Sequence, residues 1–153
     1  MVSRTLLKVV IDTNVWISGI LSRTGPPALL TRKVVQDGRA VFSAQTFAEL
    51  KERLWRPKFD RYVTIEQRGR FLSDIESSAR WVEVPSNLAA TTYSRDAADD
   101  MFVHAALAAH ATWLVTGDDD LLCLPPMNGL QILSPRAALD ELDRTDHPSR
   151  EIR

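Results

Sequence analysis

Apolar and polar positions follow two rhythms along this chain. Leu6 to Ile11 is a continuous apolar run broken only by Lys8. Such a run, rich in Val and Ile, predicts a strand buried on both faces. Val15 to Leu21 predicts a helix, which Gly25-Pro26-Pro27 ends while priming the next. Ala28 to Gln36 has apolar residues at 29, 30, 34 and 35 and stops at Asp37-Gly38, a C-cap signal. Ala40-Val41-Phe42 predicts a short second strand. A helix opening at Thr46-Phe47-Ala48-Glu49 places Phe47, Leu50 and Leu54 on one side and ends at Pro57. Ile65 to Ala79 predicts a further helix, with apolar positions at 65, 71, 72 and 75. Trp81-Val82-Glu83-Val84 alternates, as a third strand closed by Pro85. Asp96 to Ala111 is the clearest helix, with acids in its first turn and Phe102, Val103, Ala106, Leu107 and His110 at helical spacing. Thr112 to Thr116 and Leu130 to Leu133 predict strands four and five, and Pro135 to Leu142 a last short helix. From Asp143 onward only Ile152 is apolar, which predicts a disordered tail over 143–153 behind one domain over 1–142.

Strands alternating with helices mean an α/β fold with a central parallel sheet of four to five strands, because parallel neighbours need crossover connections. With 153 residues, 44% of them hydrophobic and 25% charged, the chain has the size and composition of one soluble globular domain. The single cysteine, Cys123, excludes an internal disulfide framework and fits a reducing compartment. Its Leu-Leu-Cys-Leu setting predicts a small core residue. No apolar run approaches a membrane span, and the N-terminus lacks the pattern of a signal peptide, so a cytoplasmic location is expected. The net charge of −1 advertises no global field for nucleic acid, although a basic patch beside an acidic site would cancel in that sum.

Acids recur where strands give way to helices. Asp12 follows the first strand, Glu49 the second and Asp118 the fourth, while Asp99 lies in the helix after the third. In a parallel sheet these junctions share the carboxyl edge, where open α/β sheets place ligands. Each acid also has a plain reading. Thr46-x-x-Glu49 is a capping-box pattern, Asp96-x-x-Asp99 resembles one, and Asp12 and Asp118 suit helix caps. Gathered together, however, four carboxylates repel and raise one another's pKa. A divalent cation resolves that repulsion. Carboxylate and amide oxygens without a Cys or His cluster select a hard ion, Mg²⁺ or Mn²⁺, over zinc. Such ions activate water at phosphodiesters. Asn14, Asp96, Asp100, Asp119 and Asp120 make the same edge still more polar.

With these residues in place, the chain resembles the PIN domain family over roughly residues 7 to 142. Val9-Val10-Ile11-Asp12-Thr13-Asn14 is similar to that family's opening strand, and Thr46-Phe47-Ala48-Glu49-Leu50 to its second acid. Arg95 to Phe102 is similar to the third segment, and Leu114 to Leu122, with Thr116-Gly117-Asp118, to the fourth. The resemblance implies a three-layer α/β/α fold and cleavage of RNA dependent on Mg²⁺ or Mn²⁺, leaving a 3′-hydroxyl and a 5′-phosphate. It places Asp12, Glu49, Asp99 and Asp118 as the catalytic, metal-binding acids, with Asp120 as a further ligand candidate. Asn14 and Thr116 are its supporting polar residues. The register of Phe102 and the alanine-rich face favours Asp99 over the alternative Asp100, and Asp118, directly after the strand and Gly117, is favoured over the alternative Asp120. Many small members are toxins of toxin–antitoxin pairs of the VapC type and are commonly dimers. An antitoxin partner and a homodimer are therefore expected.

Lys51 to Arg70 holds seven basic and three acidic residues, with Trp55, Phe59 and Tyr62 among them. Arg53, Arg56, Lys58 and Arg61 are candidates for holding RNA phosphates while bases stack on aromatics. The alternative is that the aromatics pack inward and the charges form a solvated face. His104 reads as a core or helix-surface histidine, since metal-assisted hydrolysis needs no histidine base. Two other readings compete. A phosphatase of the haloacid-dehalogenase type would use Asp12 as nucleophile, but it wants an aspartate where Asn14 stands. A non-cleaving PIN-like binding module would not need all four acids.

Overall fold

The computed structural model describes residues 7–146. Its strands are β1 (Val9–Ile11), β2 (Val41–Phe42), β3 (Arg80–Trp81), β4 (Trp113–Val115) and β5 (Gln131–Leu133). All pair in parallel: β1 with β4, β4 with β5, and β2 with β3. A parallel bridge between Val9 and Ala40 joins the two ladders, giving the spatial order β3-β2-β1-β4-β5. The chain thus winds outward in opposite directions from β1. A reversal of this kind opens a crevice at the carboxyl ends of the strands that flank it, here β1 and β4.

Six longer helices surround the sheet: α1 (Thr13–Leu21), α2 (Pro26–Gln36), α3 (Ala44–Leu54), α4 (Ile65–Ser78), α5 (Asp100–Ala108) and α6 (Pro135–Asp146). Successive side chains of β1 point to opposite faces. Val9 and Ile11 join a core with Trp16, Leu30, Phe42, Leu50, Leu54 and Leu142. Val10 joins a second core with Phe102, Val103, Leu114 and Leu121. These are the two interfaces of a three-layer α/β/α domain. Trp16 stacks on Phe42 at 5.5 Å between ring centroids, so α1 is locked onto β2 beside the crevice.

Local chemistry starts the helices. Gly25 takes φ +98°, a conformation that glycine adopts without strain, and Pro26 opens α2. Thr64 and Gln67 form a capping box for α4. The capping box expected from Thr46 to Glu49 is instead made by Ser43 and Thr46, so α3 begins at Ala44. Ser43 is still in extended backbone at the end of β2, and its hydroxyl accepts from the Thr46 amide at 3.2 Å. Glu49 therefore lies well inside the helix rather than at its start. The predicted helix over 96–111 is interrupted: a 3-10 turn, Ala97–Asp99, precedes α5, and His110 closes it at φ +54°. Strand three is shorter than its pattern, although the Val82 amide still donates to the Phe42 carbonyl. Helix α6 runs through Asp143 to Asp146, past the expected boundary at 142. The remainder of the expected tail, 147–153, lies outside the described residues, as does Leu6. Cys123 is exposed rather than in the core. It closes the single turn Asp119–Leu122, whose inward side is already taken by Leu121.

Candidate active site

The carboxyl edge of β1 and β4 builds the centre of the site. Ile11 pairs with Val115, and the Asp12 amide donates to the Val115 carbonyl at 3.0 Å. Asp12 and Thr116 are thereby placed side by side. Asp12 is the cap its position predicted: Oδ1 accepts from the Val15 amide at 2.9 Å. Its Oδ2 accepts from the hydroxyl of Thr116, which is fully buried and itself accepts from the Asp118 amide at 3.0 Å. Burial pushes the Asp12 pKa above its ordinary value, and the charges of Asp118 and Glu49 add to that. The hydrogen bonds from Thr116 and Val15 pull the other way. With both oxygens engaged, Asp12 is poorly disposed to act as a covalent nucleophile.

Asp118 caps the turn Asp119–Leu122 by accepting from the Asp120 amide at 2.9 Å. Asp99 faces it from the other side of the crevice. Burial, a hydrogen bond shared with Asp118 and the charges of Asp118, Asp96 and Asp12 push the Asp99 pKa up to about 7. Its Oδ2 is buried without a hydrogen-bond partner. The adjacent Asp100 is occupied differently. Its Oδ1 accepts from the amides of Tyr93 and Ser94, at 3.2 and 2.7 Å, which pins the preceding loop to α5. Asp120 lies within the turn that Asp118 caps, half-buried.

Glu49 reaches the crevice from α3. Its Oε1 accepts from the Thr13 hydroxyl at 2.6 Å, and its Oε2 lies 3.3 Å from Arg53. Arg53 also donates to Oδ1 of the exposed Asn14 at 3.1 Å. Of the expected residues, Thr116 thus bonds both Asp12 and the Asp118 amide, Asp99 pairs with Asp118, and Glu49, Arg53 and Asn14 form one rim. Arg56, Lys58 and Arg61 are exposed. Arg56 forks onto Glu52 at 2.9 and 3.1 Å, and Lys58 lies over the Phe59 ring at 5.2 Å. Among the aromatics, Phe59 packs on the core while Trp55 and Tyr62 remain exposed. His104 is buried with Nε2 2.7 Å from the Thr91 carbonyl, a structural placement. Sequence reasoning passed over Thr13, whose only signal is its place directly after Asp12.

An all-oxygen donor set suits a hard divalent cation. Two mutually repelling acids with raised pKa values and an unpartnered buried carboxylate oxygen fit such an ion. As the side chains stand, no three Asp, Glu, His or Cys residues among those described come close enough to hold one. Thr13, Arg53, Val15 and Thr116 hold Glu49 and Asp12 in the meantime.

A profile of the PIN domain family matches residues 8–120. The chain belongs to the PIN domain family. PIN domains are generally nucleases that use divalent metal. Along the sequence, this PIN domain is similar to the uncharacterized protein MJ1680 of Methanocaldococcus jannaschii, at 26% identity over 149 residues, covering 90% of this chain and 93% of that protein. In fold it is similar to PAE2754 from Pyrobaculum aerophilum, with a TM-score of 0.58, 17% identity and 90% of each chain covered. The PIN domain of T. brucei RRP44 superposes with a TM-score of 0.54 at 13% identity, covering 95% of this chain and 86% of that one. Among the described residues no helix is long and apolar enough to cross a membrane.

Proposed function

We propose that this PIN domain is a metal-dependent endoribonuclease. The observation that carries the reading is the pairing of Asp99 with Asp118 beside Asp12 at the strand reversal, with Asp99 Oδ2 left unpartnered. Asp12, Glu49, Asp99 and Asp118 would hold Mg²⁺ or Mn²⁺, with Asp120 as a further ligand. A bound ion would supply charge neutralisation at the phosphodiester and a water acidified for attack on phosphorus. The chain's own residues orient that centre. Thr116 fixes the Asp12 carboxylate, Thr13 fixes Glu49, and Arg53 with Asn14 frames the rim where a phosphate would enter. Arg56, Lys58 and Arg61 extend positive charge outward for the RNA backbone. The family's small members suggest a biological setting, the toxin of a toxin–antitoxin pair, homodimeric and held in check by a small antitoxin.

The test is cleavage of a mixed pool of labelled RNAs by pure protein with Mn²⁺, with Mg²⁺ and with EDTA, beside Asp12→Asn. Cutting that needs the ion and vanishes in the variant, leaving 5′-phosphate ends, is expected. Cutting that persists in EDTA or in Asp12→Asn overturns the assignment. RNA bound but left intact under every condition replaces it with the non-cleaving module.

A further inference from the structure

Helix α3 starts two acid–arginine pairs of the same spacing, and they are built differently. Arg56 forks onto Glu52 with two bonds, at 2.9 and 3.1 Å, and both side chains are exposed. An acid four residues before a base is common support for a helix. Arg53 divides its fork instead. One amino nitrogen lies 3.3 Å from Oε2 of Glu49, and the other donates at 3.1 Å to Oδ1 of Asn14, which belongs to α1. This pair ties two helices together at the rim of the acidic crevice. It also occupies Glu49. Oε1 accepts from Thr13 at 2.6 Å and Oε2 faces Arg53, so both oxygens are taken. A guanidinium beside a carboxylate opposes a second positive charge there. Arg53 and a metal ion therefore compete for one oxygen of Glu49.

Arg53 has a better acceptor within its chemistry. A guanidinium grips a phosphate through two parallel N–H···O bonds, which its divided contacts with Glu49 and Asn14 do not provide. The hold on Glu49 is modest as well: Arg53 is 34% exposed and Glu49 17%, so water and salt screen the pair. A phosphodiester entering at the rim offers Arg53 a stronger partner than the one it leaves. We propose that Arg53 is an exchangeable latch, which holds Glu49 in the metal-free protein and passes to a phosphate of bound RNA, freeing Glu49 for the metal. Linkage then makes RNA and metal each favour the other's binding. This rests on the nuclease reading and adds regulation to it, because substrate helps to complete the metal site.

Two titrations test the latch. The first is calorimetry with Mn²⁺ and no RNA, on the wild type, Arg53→Gln and Arg56→Gln. Arg56 feels the charge of Glu49 but is bonded to Glu52, so its variant controls for lost charge alone. Arg53→Gln should tighten Mn²⁺ binding about fivefold, the upper end for an ion pair this exposed, and Arg56→Gln by less than about twofold. The second is anisotropy of a fluorescein-labelled RNA of mixed sequence in EDTA, where it stays intact. Arg53→Gln should weaken RNA binding and lower the slope of log affinity against log salt by about one. Glu49→Gln releases Arg53, so it should tighten RNA binding in the wild-type background and much less in Arg53→Gln. Mn²⁺ bound no tighter by Arg53→Gln than by Arg56→Gln overturns the latch, as do equal effects of Glu49→Gln in the two backgrounds. The nuclease reading fails separately: both titrations as expected without metal-dependent cleavage overturn that reading and leave the latch. Cleavage without these shifts does the reverse, and a wild type that binds no Mn²⁺ or no RNA overturns both.

Discussion

Thr13 donates its hydroxyl to Oε1 of Glu49 at 2.6 Å, so the first residue of α1 orients an acid that α3 supplies. Thr13 is buried, which shields the donor end of this partly buried hydrogen bond from water. Groups that orient metal-binding carboxylates typically account for about 10- to 100-fold in affinity or activity. Thr13→Val preserves shape and removes the donor. It is expected to weaken Mn²⁺ binding, measured by calorimetry, about tenfold or more, while Thr13→Ser stays near the wild type. Equal affinity in Thr13→Val would show that Arg53 alone suffices to place Glu49.

Gly19 sits inside α1, where replacing glycine by alanine usually stabilises a helix by about 1 kcal/mol. Here the sign reverses. A Cβ would fall 2.5 Å from Thr31 Oγ1 and 3.0 Å from the Pro27 carbonyl. Thr31 is buried and bonded to that same carbonyl at 2.8 Å, so it has no free rotamer to yield. Gly19→Ala should cost about 1–3 kcal/mol, seen in a chemical denaturation curve. Adding Thr31→Ala should recover part of the loss. A more stable Gly19→Ala would mean that α1 and α2 separate readily.

The strand-then-acid units were legible because burial on both faces writes continuous apolar runs, and Asp12 and Thr116-Gly117-Asp118 stand directly at their ends. Thr13 was not legible, since a threonine after a cap looks like any helix start and its partner is 36 residues away. The start of α3 was misjudged because Ser43 and Thr46 both suit caps, and the end of β2 decides between them. Cys123 was misplaced because apolar neighbours along a short turn do not share one face. Trp55 and Phe59 are spaced alike with respect to charge, yet only Phe59 reaches the core.

Asp99 makes stability and metal binding depend on pH. Its ordinary value of 3.8 rises to about 7 in the folded protein, from burial and from Asp118. Between those values the folded state holds a proton that the unfolded state has released, so stability falls as pH rises. The cost is absent below about 3.8 and complete above about 7. Urea denaturation in EDTA should show the wild type losing stability relative to Asp99→Asn between pH 5 and pH 8. Divalent cation binding should expel that proton and tighten up to about pH 7. Parallel pH profiles for the two proteins would remove Asp99 from the acidic pair.

Asp99 and Asp100 are adjacent acids with separable roles. Asp100 Oδ1 accepts from two amides, and removing it leaves the Tyr93 and Ser94 N–H groups without that acceptor at the edge of α5. Asp100→Ala should cost about 1–3 kcal/mol of stability, and Asp100→Asn, which keeps the oxygen, should restore most of it. Asp99→Asn removes like-charge repulsion instead, so it should keep or raise stability at neutral pH while abolishing cleavage. Thermal denaturation and RNA cleavage on the same three variants separate the two. If Asp100→Asn is as stable as the wild type and as inactive as Asp99→Asn, Asp100 shares in the chemistry, and the hydrogen bonds to Tyr93 and Ser94 orient a ligand rather than only a loop.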